Sequence, residues 1–182
     1  MNLPNKLTMA RLLLTPFILA CIYFDSLRVY GLLLFMAAVA SDYLDGWFAV
    51  RKNMKSRLGN FLDPLSDKIL VISCLTLLSH MGLFPMWMVF IVMSREFIMN
   101  GLRTSLSDES KPVGANMGGK IKFILRSLLI FLSIIYLINP VYQKEFLMLL
   151  NGLFLFVIII TIAALINFIS KNKKLLRELV KN

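Results

Sequence analysis

Four aspartates lie between and inside two strongly apolar segments of this chain, within the stretch from Ser41 to Lys68. They are Asp42, Asp45, Asp63 and Asp67. An ionised carboxylate at the centre of a membrane helix costs about 2.5 to 3.5 kcal/mol on insertion scales, so these acids require compensation. The first pair has i, i+3 spacing and the second has i, i+4 spacing, which places each pair on one helix face. An antiparallel turn through residues 51–62 would bring all the carboxylates together.

Converging carboxylates repel one another, and bound divalent cations remove that repulsion. Oxygen ligands of this hard type suit Mg²⁺ or Mn²⁺, which keep open positions for substrate phosphates. Zinc prefers nitrogen and sulfur, and the chain offers only His80 and the distant Cys21 and Cys74. The sequence therefore predicts a magnesium or manganese site. The alternative, in which the acids form ordinary interfacial ion pairs with arginines, explains the charge but not the spacing.

Glycines and cations accompany the aspartates. Gly46 directly follows the first pair and Gly59 precedes the second, and a glycine lets a ligand or a facing backbone approach closely. The surrounding basic residues are Arg51, Lys52, Lys55 and Arg57. Such side chains hold phosphate oxygens, so the pattern predicts a phosphate-containing ligand at the aspartates.

The pattern resembles the signature of the CDP-alcohol phosphotransferases, D-x-x-D-G-x-x-A-R-x8-G-x3-D-x3-D. The matching residues are Asp42, Asp45, Gly46, Ala49, Gly59, Asp63 and Asp67. The chain departs from the signature at Val50, where the family has arginine, and Arg51 is the next residue. A one-residue offset turns a helical side chain by about 100°, so Arg51 replaces that arginine only if the helix end unwinds or the side chain reaches back.

The resemblance implies an enzyme with a CDP-alcohol donor, such as CDP-diacylglycerol, and two metal ions held by the four aspartates. It implies that Asp67 is also the general base. The N-terminal segment of residues 4–11 is similar to the family's P-N-x-[LI]-T-x-x-R element. The implied donor-binding residues are Asn5, Thr8, Gly46, Arg51, Ser56 and Gly59. Without the resemblance, the first two would be a helix cap and a surface hydroxyl.

A second cluster, of cations, lies further along the chain. Arg95 and Glu96 stand deep in an apolar stretch, and positive-inside anchoring does not explain an arginine at that depth. A functional or ion-paired role is expected, with Glu96 or an aspartate as partner. The elements R-E-F-x-x-x-G-L-R and G-K-x-K resemble the phosphatidylglycerophosphate synthase branch, although Phe123 stands where that branch often has threonine. The residues this resemblance assigns to the phosphate of glycerol 3-phosphate are Arg95, Arg103, Lys120 and Lys122. Inositol phosphate, serine and phosphatidylglycerol stay open as acceptors.

The composition predicts an all-α integral membrane protein, because 58% of the 182 residues are hydrophobic. The length allows about six transmembrane helices of roughly 20 residues in a single domain, residues 1–182, with a basic tail at 171–182. A short amphipathic interfacial helix is expected at residues 1–11, with Thr8 and Arg11 turned toward the headgroups, ahead of a first span at 12–24. Later spans are expected at about 29–49, 63–80, 84–106, 119–138 and 146–168.

The cations fall mainly on one side of this predicted topology, with Arg28 and Lys144 on the other. The positive-inside rule therefore places the aspartates and both termini at the cytoplasmic face of the cell membrane. The net charge of +10 does not indicate nucleic-acid binding, because the basic residues lie between apolar segments. The resemblance implies a homodimer. A magnesium-dependent prenyltransferase and a transporter are the alternatives from other classes.

Overall fold

Every regular element in the described part of the chain is helical. The computed structural model describes the backbone of residues 3–52, 57–106, 117–139 and 143–173, and the side chains of 9–41, 66, 68–102, 122–139, 144–170 and 172–173. The helices are α1 (Leu3–Tyr23), α2 (Arg28–Lys52), α3 (Arg57–His80), α4 (Met86–Leu106), α5 (Met117–Ile138) and α6 (Gln143–Lys171), and a 3-10 turn at Asp25–Leu27 joins the first two. The all-α prediction is confirmed for these residues, which contain no strand.

Two predicted boundaries are wrong. The interfacial helix expected at residues 1–11 is not a separate element, because α1 runs without a break from Leu3 to Tyr23. Pro4 lies in the first turn, where its missing N–H is not needed, and no helix breaker follows before Pro16. The third helix begins at Arg57 rather than near Asp63, so Pro64 lies inside it and not in its first turn. The apolar pattern does not reveal this start of α3, because polar residues interrupt the pattern in the first turns of the helix.

Contacts at one end of the bundle establish how the helices run. Arg28, at the start of α2, donates from Nη1 to the carbonyl oxygen of Leu137 at the end of α5, at 2.9 Å. Asn151, near the start of α6, donates from Nδ2 to the carbonyl oxygen of Leu83 in the turn between α3 and α4, at 3.2 Å. The ends of α2 and α4 and the starts of α3 and α5 therefore lie together at the opposite end.

The interior is filled by aliphatic and aromatic side chains from all the helices. The largest fully buried ones are Phe35, Phe154, Ile18, Ile22, Leu75, Leu78, Leu129, Ile130, Ile134 and Leu150. At the α1–α2 corner, Gly31 packs closely against α1, and an added Cβ would lie 3.0 Å from the backbone nitrogen of Ile22. Cys74 is buried and Cys21 half-buried, both as free thiols. His80 is the last residue of α3, and its side chain is exposed.

The outer surface is also apolar. Among the most exposed large side chains are Leu13, Phe17, Leu33, Phe90, Phe97, Met148 and Ile159. Lys144–Ser170 forms the one described helix that is long and apolar enough to cross a membrane by itself. Met9–Tyr23 and Asp25–Ser41 pass the same test only together, with a bend of 117° between them. Six crossings therefore stay a prediction.

Candidate active site

A buried carboxylate pairs with two buried arginines between α4 and α5. Glu96 Oε1 accepts a hydrogen bond from Arg95 Nη1 at 2.7 Å and lies 2.7 Å from Arg126 Nη1. The three residues are 8%, 8% and 7% exposed in the order Arg95, Glu96, Arg126. The prediction that Arg95 is ion-paired, with Glu96 as a possible partner, is confirmed. Because charge-assisted bonds of this length in a low-dielectric interior are strong, the arrangement is rigid.

Two more helices reach the same carboxylate and its partners. Lys68 Nζ of α3 lies 3.9 Å from Glu96 Oε2, and Lys68 also donates to Asn100 Oδ1, one turn further along α4. Arg126 Nη2 donates to Thr161 Oγ1 of α6 at 3.4 Å. Side chains from α3, α4, α5 and α6 therefore meet around Glu96. We call Lys68, Arg95, Glu96, Asn100, Arg126 and Thr161 the Glu96 cluster.

Helical spacing explains how local sequence builds this cluster. Glu96 and Asn100 stand at i, i+4 on α4 and therefore share a face. Lys122 and Arg126 stand at i, i+4 on α5, and both are buried, with Lys122 9% exposed. Among the described side chains of this region, cations outnumber the single carboxylate. Buried guanidinium and ammonium groups hold phosphate oxygens through charge-assisted hydrogen bonds, so the cluster is chemically suited to a phosphate.

Arg11 lies at a neighbouring place, between α1 and α3. It is 3% exposed, and its Nη1 donates to Ser66 Oγ at 3.3 Å. The prediction that Arg11 faces the headgroups is wrong, since α1 packs this face against α3. Ser66 directly precedes Asp67, so Arg11 reaches the turn of α3 that carries the second aspartate pair.

The remaining predicted site residues are described by their backbone or lie outside the described residues. The backbone of α2 includes Asp42, Asp45, Gly46 and Arg51, and that of α3 includes Gly59, Asp63 and Asp67. The other helices include Asn5 and Thr8 in α1, Arg103 in α4 and Lys120 in α5. Their side chains lie outside the described residues, as does Ser56 entirely. Within the described side chains, no three histidines, cysteines or acids form a metal site. The aspartate-bearing ends of α2 and α3 nevertheless lie at the same end of the bundle as the Glu96 cluster.

Sequence reasoning missed several members of the Glu96 cluster. Lys68, Asn100 and Thr161 carry no motif, and each looks like an ordinary polar residue near a helix end or within a helix. The sequence places Arg126 one turn past Lys122, among the cations that suggest an anion site, but it does not indicate the contacts of Arg126 with Glu96 and Thr161. The roles of the missed residues depend on which helices are neighbours, and residue spacing within one helix does not contain that information.

Comparison with known proteins identifies a family and several relatives of this chain. A family model described as CDP-alcohol phosphatidyltransferase matches residues 1–166. The chain is 41% identical over 135 residues to the CDP-diacylglycerol–glycerol-3-phosphate 3-phosphatidyltransferase of Bacillus subtilis, covering 66% of this chain and 70% of that protein. It is 31% identical over 146 residues to a probable phosphatidylglycerophosphate synthase of Mycobacterium tuberculosis, covering 78% of this chain and 69% of that protein. The family match spans both the aspartates and the Glu96 cluster.

Proposed function

We propose that this chain, which belongs to the CDP-alcohol phosphatidyltransferase family, transfers a phosphatidyl group from CDP-diacylglycerol to glycerol 3-phosphate and releases CMP. The names of the Bacillus subtilis and Mycobacterium tuberculosis relatives support this donor and acceptor. The observation that carries the proposal is the group of cations from three helices around Glu96. Such side chains bind the phosphate of a monoester such as glycerol 3-phosphate, whereas serine has no phosphate.

The donor set of the aspartates fits divalent cations. Carboxylate oxygens are the ligands that Mg²⁺ and Mn²⁺ prefer, and α2 and α3 bring both aspartate pairs to one end of the bundle. We propose that Asp42, Asp45, Asp63 and Asp67 hold two such ions. When bound, these ions neutralise the diphosphate of the donor and the charge that develops on its leaving oxygen.

The chain's own residues then orient the two substrates. Arg95, Arg103, Lys120 and Lys122 hold the phosphate of the acceptor, and Asn5, Thr8, Gly46, Arg51, Ser56 and Gly59 contact the donor. The acceptor hydroxyl attacks the phosphorus nearest diacylglycerol, forming a P–O bond as the bond to CMP breaks. Asp67 takes the proton of that hydroxyl. A carboxylate beside cations is a weak base, so Asp67 contributes through its position more than its basicity.

The same proposal sets the protein in a cell membrane. Six membrane-crossing helices with the aspartates at the cytoplasmic face would follow the positive-inside rule and let the polar acceptor reach the site. The many exposed apolar side chains support lipid contact, because in water such a surface would favour association. A homodimer is part of this proposal. Family membership disfavours the prenyltransferase and transporter alternatives.

The first test measures CMP release by the purified protein in micelles that contain CDP-diacylglycerol and Mg²⁺. We expect release that depends on glycerol 3-phosphate, stops when EDTA removes the metal, and falls by about two orders of magnitude or more in Asp67→Asn, because the variant loses a metal ligand and the base. Asp25→Asn is the matched control, since Asp25 pairs with Arg28 at the opposite end of the bundle.

The competing acceptors are tested in the same assay. If CMP is released with inositol phosphate, serine or phosphatidylglycerol but not with glycerol 3-phosphate, that compound is the acceptor. The proposed transfer of the phosphatidyl group from CDP-diacylglycerol would still hold. Full activity in Asp67→Asn would refute the role of Asp67 as base.

A further inference from the structure

Glu96 is the one carboxylate among the described side chains that contacts cations from three different helices. Its Oε1 lies 2.7 Å from both Arg95 Nη1 and Arg126 Nη1, and its Oε2 lies 3.9 Å from Lys68 Nζ. We propose that Glu96 is a positioning residue that orients Arg95 and Arg126 to bind the phosphate of the acceptor, and that Arg126 is a further ligand of that phosphate. This inference rests on the proposed function, whose acceptor carries a phosphate monoester.

The hydrogen bonds of Arg126 leave part of its guanidinium available. Nη1 contacts Glu96 and Nη2 donates to Thr161 Oγ1, which fixes the plane of the group. A guanidinium has five N–H donors, so these bonds do not exhaust it. Its Nε is buried without a hydrogen-bond partner among the described residues. A buried donor of this kind is costly unless a ligand satisfies it, and an oxyanion beside Arg126 would do so.

The charge balance explains why a carboxylate is needed at a site that binds an anion. Without Glu96, Arg95 and Arg126 would face each other as like charges in a buried place, and their long side chains would separate or turn toward water. With Glu96, the two guanidinium groups share one oxygen and stay together. With the guanidinium groups held in this way, the Nε of Arg126 still has no hydrogen-bond partner among the described residues and can bind a phosphate oxygen.

Lys68 links Glu96 to α3, the helix that carries Asp63 and Asp67. It directly follows Asp67 on α3, and its ammonium lies between Glu96 and Asn100 of α4. Glu96 therefore connects α3, which carries the proposed base, with α4 and α5, which carry the proposed phosphate ligands. Holding reactants in one geometry accounts for a large part of catalysis. The contacts of Glu96 with Lys68, Arg95 and Arg126 keep the bound acceptor at a constant distance from α3.

The test is steady-state kinetics of Glu96→Gln, which keeps the size of the side chain and removes its charge. We expect the KM for glycerol 3-phosphate to rise about ten- to hundredfold, as for the loss of a charge-assisted hydrogen bond. The KM for CDP-diacylglycerol should not change, and kcat should fall by less than the KM rises. Glu145→Gln is the matched control, because Glu145 is exposed in the first turn of α6, at the other end of the bundle.

A second variant keeps the proposal testable if Glu96→Gln does not fold. Thr161→Val removes the other partner of Arg126 with little change in shape, and we expect a smaller rise in the KM for glycerol 3-phosphate in the same direction. Thermal unfolding in detergent reports on the folded state of each variant. A lower melting temperature with no change in this KM would show a purely structural role and overturn the proposal.

Two more outcomes are decisive. A fall in the KM of Glu96→Gln would mean that Glu96 competes with the phosphate for the arginines, which also overturns the proposal. If the wild-type protein shows no release that depends on glycerol 3-phosphate, the proposed function and this inference fail together. If the wild type is active and both variants keep its KM, only this inference fails.

Discussion

At the scale of single residues, the charges of Arg95, Glu96 and Arg126 are buried in a specific geometry. Arg95 and Arg126 keep their charges at 8% and 7% exposure because Glu96 and Thr161 accept their hydrogen bonds. The depth of Arg95 and its neighbour Glu96 could be predicted from the sequence, since a charge in an apolar stretch needs a partner. Arg126 could be recognised as a further cation one turn past Lys122, but its contacts with Glu96 and Thr161, and the contact of Lys68 with Glu96, could not, because the partners come from different helices.

Arg95→Lys tests whether the fork of a guanidinium is needed at this position. Lysine keeps the charge but loses the planar pair of donors that fits a carboxylate and a phosphate together, so we expect the KM for glycerol 3-phosphate to rise about tenfold. Arg28→Lys is the control. Arg28 donates to the carbonyl of Leu137 and pairs with Asp25 at the opposite end of the bundle, so its loss should lower the melting temperature without changing this KM. Equal KM values in Arg95→Lys and the wild type would contradict the assignment.

At the scale of the helices, boundaries depend on more than hydrophobicity. α5 ends at Ile138 as predicted, because apolar residues continue to that terminus, whereas α6 (Gln143–Lys171) runs three residues beyond its predicted span at each end. The first turns of α1 and α3 are largely polar, so the apolar pattern alone does not join them to the apolar segments that follow in the same helix. The polar start of α3 leads directly to Asp63 and Asp67, the proposed second aspartate pair. The helix therefore begins before the proposed site and includes it.

The corner between α1 and α2 gives a prediction for stability. At Gly31 a Cβ would lie 3.0 Å from both the backbone nitrogen and Cγ1 of Ile22, and the backbone atom has little room to move. We expect Gly31→Ala to destabilise the protein by about 1 to 3 kcal/mol, as overpacking does, and to lower the melting temperature in detergent.

Gly152→Ala is the matched control for this corner. Nothing lies within 4 Å of a Cβ added at Gly152, which stands inside α6. Alanine is the better helix former by about 0.8 to 1 kcal/mol, so this variant should melt at the same temperature or higher. A Gly31→Ala protein as stable as Gly152→Ala would show that the two helices separate without cost.

At the scale of the whole molecule, the order of the helices separates two chemically different ends. The turn between α3 and α4 and the starts of α2 and α6 lie at one end, and the aspartate-bearing ends of α2 and α3 lie at the other. Of the described lysine and arginine side chains, Arg28 and Lys144 lie at the first end, and Arg11, Lys68, Arg95, Lys122 and Arg126 lie toward the second. The proposed membrane orientation rests on this separation.

Labelling of introduced cysteines tests that orientation in intact cells. In a background with Cys21→Ser and Cys74→Ala, we expect a membrane-impermeant maleimide to label His80→Cys from outside. Ser107→Cys, which follows α4, should react only after the cells are opened, because positively charged segments stay in the cytoplasm. The reverse pattern would invert the proposed topology, and equal labelling of both would exclude six crossings.

The sequence by itself determined the helical class, the family and the identity of the acids and cations on each helix, since these depend on periodicity and on fixed spacing along the chain. Only the tertiary structure decided that Arg11 is buried against Ser66, that α1 is continuous, and that Lys68, Arg95, Arg126 and Thr161 gather around Glu96. Helix spacing places residues on a face, whereas the packing of α3, α4, α5 and α6 against one another decides which faces meet.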